Sequence, residues 1–368
     1  MAAQKRIQNS RARTGKAPQR RRRKNKAGKI ILFVIEIVVL IVVVMFLYST
    51  FMTTQKVGKL DIPEGAIIIN ETIKETAEVT MKGYRNVALF GVDSTSGQLG
   101  RGTRSDAIIV ASINEDSGEI RLVSVYRDTY LNRGNDSYNK CNGAYAQGGP
   151  EQAINMLNMN MDMNITDFVT VGFKGLSEAI DALGGVMIEV DEVELLHINN
   201  YQMTMAADLK RSYKPVENAG YQRLDGLQAT AYCRIRYTLG DDFKRAERQR
   251  EVLMATLEEA KKASPATLTD IAGKVFDSTL TSFDLADIIT MLVDVRKYQV
   301  VGDGGFPTAS LRTTGTIGSK GSCIVPLDLE QNVIWLHGFL FENEEYTPSA
   351  ELRSFSEKIE RDTAQYVR

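Results

Sequence analysis

Asn86-Val-Ala-Leu-Phe-Gly-Val92, Ala107-Ile-Ile-Val-Ala-Ser-Ile113 and Ile120-Arg-Leu-Val-Ser-Val125 are three apolar runs, each with charge close to one end: Asp93, Asp106 and Arg127-Asp128. Their nearly unbroken apolarity predicts strands buried on both faces. Asn114-Glu-Asp-Ser-Gly118, between the second and third, is a turn signal of hairpin length. Downstream, a helix from Pro150 to about Met161, a strand over Phe168–Phe173, a helix near Gly175–Leu183 and a strand over Val186–Val190 continue the alternation. Such a chain is α/β, with a central mixed sheet flanked by helices in αβα layers.

Further along, Leu224–Arg234 and Phe243–Lys262 read as helices. Apolar residues recur with helical spacing in 268–276 and 285–293, which suits core packing better than an apolar groove. Glycines give 302–321 turn character, and two helices, about Leu327–Phe341 and Ala350–Tyr366, close the chain.

At the other end, residues 1–29 hold twelve Lys or Arg and no acid, so the net charge of −1 hides a body with 33 basic against 46 acidic residues. Ile30 to Met52 follows, apolar except for Glu36 and a few hydroxyls. As a helix it is about 34 Å long, enough to span a bilayer core of roughly 30 Å. It is longer than a cleavable signal core, and no small-x-small site follows. The expectation is a retained transmembrane signal anchor: tail 1–29 cytoplasmic, helix 30–52 in the cell membrane, a stalk at 53–83, and a folded domain, 84–368, outside. The tail has no aromatic residue to stack on a base, so it reads as a topology signal that attracts anionic membrane lipid, with no nucleic acid as partner.

Two histidines, His197 and His337, exclude a His-rich metal centre or cooperating imidazoles. The three cysteines sit among small or apolar neighbours and read as buried hydrophobes rather than nucleophiles.

Charge interrupts the apolar runs in two places. Asp93 ends the first predicted strand, Asp106 opens the second, and Arg127-Asp128 ends the third. If the second is antiparallel to its neighbours, all of them share one sheet edge. Two carboxylates there would suit a hard cation, which takes one or two carboxylates plus phosphate oxygens; ordinary strand-end solvation accounts for them equally well. The second place is Arg234-Ile-Arg236 through Asp241-Asp242-Phe-Lys-Arg245-Ala-Glu-Arg248-Gln249. Arg245 and Gln249 share a helix face and Arg248 lies one position off it, while Asp241 or Asp242 would cap the helix. Arginines gathered in an acidic body suit an anion, because the guanidinium fork matches phosphate.

These segments, together with Lys140-Cys-Asn-Gly-Ala-Tyr-Ala-Gln-Gly-Gly, Asp181-Ala-Leu-Gly-Gly-Val and Leu224-Asp-Gly-Leu-Gln-Ala, resemble the LytR-CpsA-Psr family, densely over about 83–260. The resemblance implies that family's extracytoplasmic domain and a membrane-anchored phosphotransferase. It would move a glycopolymer, such as teichoic acid or capsule, from a polyprenyl-pyrophosphate carrier to peptidoglycan as a phosphodiester. It implies Mg2+, with Mn2+ as a substitute, on Asp93 and Asp106. Diphosphate contacts would come from Arg104, Arg127, Lys140, Arg234, Arg236, Arg245 and Gln249, and Asp242 would be the base. Asp242, Arg127 and Arg245 would carry the chemistry. Two readings compete: a polyprenyl-diphosphate pyrophosphatase with water as acceptor, and an envelope-binding or regulatory protein without turnover. The chain departs from the family at Tyr126, where Pro usually precedes Arg-Asp, and at Cys141, where Ile usually stands between Lys and Asn.

Overall fold

The computed structural model describes residues 58–367 apart from 64, 95–96, 237–239, 276–277 and 344. The basic tail and the expected anchor at 30–52 lie outside the described residues. Among the described residues no helix is long and apolar enough to cross a membrane.

In chain order the elements begin with β1 (Gly58–Lys59), α1 (Glu71–Thr80), β2 (Tyr84–Val92), β3 (Ser105–Asn114), β4 (Glu119–Val125), β5 (Tyr130–Asn132) and β6 (Tyr138–Lys140). They continue with α2 (Gly143–Met161), β7 (Asp167–Gly172), α3 (Phe173–Ala182), β8 (Val186–Val190), α4 (Glu192–Asp208), β9 (Gly220–Leu224) and α5 (Gly226–Tyr232). The remainder is α6 (Asp241–Lys262), α7 (Pro265–Val275), β10 (Thr279–Thr281), α8 (Leu285–Val293), β11 (Gln299–Phe306), β12 (Arg312–Thr316), β13 (Ser322–Pro326), α9 (Leu329–Phe341) and α10 (Ala350–Thr363).

Seven strands form one mixed sheet in the order β1-β10-β7-β2-β3-β4-β11. β3 is antiparallel to both β2 and β4, and β7 is parallel to β2. The ends of β2, β4 and β7 and the start of β3 therefore share one edge. Side chains alternate across the sheet with period two. Phe90, Val92, Ile108, Val110 and Val123 face a core shared with Ile154, Met156, Leu336 and Leu340 of α2 and α9. Leu89, Ile109, Ala111 and Leu122 face Leu253 and Leu257 of α6. The αβα layering expected from the runs is present.

Three expectations need correction and one an addition. Part of the expected stalk is folded: from 58 onward β1 pairs with β10, and Ile73 and Met81 are buried in the main core. Few apolar residues suffice there because their partners lie far away in sequence; Asn70, for example, hydrogen-bonds Asp162 and Ser349. The helix expected from Pro150 to about Met161 is present; what the sequence did not show is a further helical stretch from Gly143, joined to it across a kink at Gly149, whose φ of 72° is non-helical. Leu224 closes strand β9 opposite Val186, and the helix starts only at Gly226 after an Asp225–Gln228 capping box. Finally, 302–321 holds strands β11 and β12 rather than turns alone. A Cβ on Gly302 or Gly304 would come within 3.2 Å of the Phe339 or Trp335 ring, so these glycines let α9 lie flat on the edge strand. Helices α7 and α8 pack as core elements, with Leu268, Ala272 and Ile288 buried.

Candidate active site

Asp93, Asp106, Arg234, Arg236, Arg245 and Gln249 line one cleft of about 350 Å3. Leu89, Ile109, Val169 and Val171 of the sheet and Leu176, Val252 and Leu253 of the helices form its apolar walls. The polar groups come to this edge by several local devices. Gly91 pairs with Ala107 but Val92 pairs with Ser105, so Asp106 is the extra residue of a β-bulge, a feature that re-aims a side chain. Sequence spacing alone gave no sign of it.

Helix α6 supplies Arg245 and Gln249 on one face, as their spacing predicts. Its first turn departs from expectation. Gly240 is the N-cap, with no side-chain capping bond, so neither Asp241 nor Asp242 caps the helix. The Asp242 carboxylate instead faces three guanidiniums: its Oδ1 lies 3.1 Å from Arg245, 3.3 Å from Arg236 and 3.8 Å from Arg127. Arg127 also donates to Asp106 Oδ1 at 2.7 Å.

The arrangement holds more donor capacity than it uses. The Nε groups of Arg127 and Arg245 are buried without a hydrogen-bond acceptor, and that of Arg236 is ion-paired with Asp242 at 3.3 Å without a hydrogen bond. Burial lowers the Arg245 pKa and the nearby Arg127 charge lowers it further, whereas for Arg127 the carboxylates of Asp106 and Asp242 outweigh burial and raise it. An arginine held beside like charge in a partly dry site is stabilised by a bound anion. Arg234 is fixed differently, over the Phe173 ring at 4.5 Å and the Tyr201 ring at 5.5 Å. Neither aromatic had a signal in the sequence.

Other expected contacts lie outside this cleft. Lys140 pairs with Asp128 at 3.2 Å, and Arg104 is exposed; neither lines the cleft. Arg248 turns away to Glu194 at 2.7 Å, so the residue one position off the face is structural.

For a divalent cation the residues fit. Asp93 is exposed at the cleft, and no ion pair engages it among the described residues; Asp106 keeps one oxygen uncommitted by its bond to Arg127. Two carboxylates plus diphosphate oxygens make a hard donor set of the kind Mg2+ takes. Among the described residues no group of three His, Cys, Asp or Glu side chains forms a cage of its own.

A family model described as LytR_cpsA_psr matches residues 49–308. The chain belongs to the LytR-CpsA-Psr family. It is 30% identical over 237 residues to polyisoprenyl-teichoic acid–peptidoglycan teichoic acid transferase TagU of Oceanobacillus iheyensis, covering 61% of this chain and 65% of that protein. It is 26% identical to TagV of Bacillus subtilis, covering 58% and 53%, and 26% identical to biofilm regulatory protein A of Streptococcus mutans, covering 60% and 57%. The chain thus spans less than two thirds of the length of each of these relatives. Among solved structures, TagT bound to LI-WTA superposes with TM-score 0.52 at 21% identity, over 77% of this chain and 92% of that one. B. subtilis TagV gives 0.56 at 24%, over 73% and 99%. These likenesses show that the fold is that of solved family members.

The cysteines behave as small hydrophobes. Cys141, Cys233 and Cys323 are all free and buried. Burial pushes the Cys233 thiol up to about 12 and raises the other two. Iodoacetamide at pH 8 should therefore leave all three unmodified in the folded protein and label them after denaturation, read by intact mass; labelling of a native thiol would contradict this assignment.

Proposed function

We propose that this family member is a membrane-anchored phosphotransferase acting on a glycan carried by polyprenyl pyrophosphate, with peptidoglycan as acceptor. One observation carries the reading: Arg236 and Arg245, whose buried Nε groups make no hydrogen bond, line a cleft whose other walls are largely apolar. That pairing suits a ligand with a diphosphate head and a hydrocarbon tail. The names of the transferase relatives agree with it.

Phosphoryl transfer asks for positioning and charge stabilisation more than for a protein nucleophile. Arg127, Arg236 and Arg245 would hold the diphosphate oxygens, with Gln249 and Arg234 beside them and Arg104 and Lys140 at the periphery. An acceptor hydroxyl would attack the phosphorus that bears the glycan, forming the phosphodiester as the bond to polyprenyl phosphate breaks. Asp242 is assigned the hydroxyl proton. Asp93 and Asp106 would hold Mg2+, which when bound neutralises phosphate charge.

The test incubates the full chain in detergent with a polyprenyl-pyrophosphate glycan, peptidoglycan fragments and Mg2+, then follows the glycan by mass spectrometry. Phosphodiester-linked glycan on the fragment is expected. Glycan phosphate released to water would identify a pyrophosphatase, and no turnover with several lipid donors would favour a binding or regulatory role.

A further inference from the structure

Hairpin β12–β13 lies beyond residue 308, where the family match ends, and it carried no recognisable motif. It nevertheless grips the chain neighbours of two site residues. Arg312 of β12 lies 3.8 Å from the Phe243 ring centroid and 4.8 Å from that of Tyr126. Its NH1 donates to the Tyr126 hydroxyl and to the Pro307 carbonyl, both at 3.0 Å. The two rings meet edge-on at 4.7 Å. Tyr126 directly precedes Arg127, and Phe243 directly follows Asp242.

From β13, Ile324 is buried in the cluster that contains Tyr126, Ala246 and Phe243. Its N–H donates to the Asp128 carbonyl at 3.0 Å. Arg127 is thus flanked on both sides by residues that the hairpin touches. Among the described residues no carboxylate pairs with Arg312, so rings and oxygens alone hold it. A Cβ on Gly305 would fall 2.0 Å from the Tyr126 hydroxyl, so the neighbouring strand is hollowed for this ring.

We propose that hairpin β12–β13 is a positioning element, and Arg312 its principal positioning residue, holding Arg127 and Asp242 in register for the reaction. The inference rests on the site assignment made above. Misplacing a reacting group by about 1 Å can cost on the order of a hundredfold in rate, so a loosened clamp shows in turnover before it shows in donor binding.

The test compares the full chain in detergent with Arg312→Met, Arg312→Lys and the milder Ile324→Val, by steady-state transfer kinetics and hydrogen exchange. For Arg312→Met we expect kcat down at least about tenfold, KM for the lipid donor within about twofold, and faster exchange confined to 125–129 and 241–246, with 84–92 unchanged. Arg312→Lys should recover part of each effect, because a cation over the rings remains, and Ile324→Val should show the same local pattern, smaller. Unchanged exchange in both segments would overturn the proposal. So would a raised KM at constant kcat, which makes Arg312 a donor contact, or faster exchange spread through 84–92 in both Arg312→Met and Ile324→Val, which makes the hairpin a general stabiliser. If the wild-type chain transfers no glycan, the functional reading fails while the exchange comparison still decides the clamp.

Discussion

Arg127→Ala should lower glycan transfer by about a thousandfold, within the range found when a charge-stabilising arginine is removed from a phosphoryl-transfer site. Two losses combine in this variant. The developing charge on the diphosphate loses a guanidinium, and Asp106 and Asp242 lose the cation that lies 2.7 Å from one and 3.8 Å from the other. Asp242 keeps Arg236 and Arg245, but Asp106 would face the donor without its guanidinium partner. Arg127→Lys should recover only a small part, since an ammonium is a point charge and cannot serve Asp106 and a phosphate oxygen with a planar fork. The measurement is kcat/KM for transfer, with the melting temperature as a control, because Arg127 sits at the end of a strand and outside the main core. A rate within threefold of wild type in Arg127→Ala would remove Arg127 from the chemistry.

Arg248→Ala is expected to be the most damaging to stability of the arginine substitutions in this region. Arg248 is 1% exposed, and its Nε donates to Glu194 at 2.7 Å while NH1 donates to the Ile235 carbonyl. Glu194 is nearly as buried, and its second oxygen accepts from the Asp191 N–H in a capping box. Removing one partner of a buried ion pair costs about 3–5 kcal/mol, because the other charge stays behind without compensation. In a domain of this size that corresponds to a melting temperature lower by roughly 5–8 °C. Arg248→Ala combined with Glu194→Gln should recover much of the loss, since Gln can still close the capping box and no charge is stranded. Calorimetry on the three proteins decides the matter: a double variant no better than Arg248→Ala would mean that packing, rather than stranded charge, is the cause.

How much of this was legible in the sequence can be read from individual residues. The three runs at 86–92, 107–113 and 120–125 announced buried strands because burial on both faces leaves a local, continuous apolar signature. The meeting of Asp93, Asp106 and Arg127 at one edge followed once antiparallel pairing was assumed, and Arg245 with Gln249 followed from helical spacing. What stayed hidden depends on distance in sequence. The bulge at Asp106 is a property of two strands together, and the Phe173–Tyr201 platform under Arg234 joins residues far apart in the chain. Ile73 and Met81 looked like sparse stalk residues because their partners lie elsewhere. The glycines at 302, 304 and 305 looked like turns for a related reason: a missing side chain means freedom in a loop but closeness under a ring, and only the neighbour tells which.

Helices α9 and α10 cover the same sheet face as α2, with Val333, Leu336, Leu340, Leu352 and Ile359 at 1% exposure or less. His337 stacks on Tyr346 at 3.6 Å, and Tyr346 and Ser349 bond the fully buried Asp162 at the end of α2, which Asn70 also reaches. The borders of the family match are therefore not the borders of the foldable unit. Expression fragments cut at residue 308 would lay bare one side of the sheet and strand a buried carboxylate without most of its donors, an invitation to aggregation. Anyone trimming this protein for crystallisation should keep its last two helices.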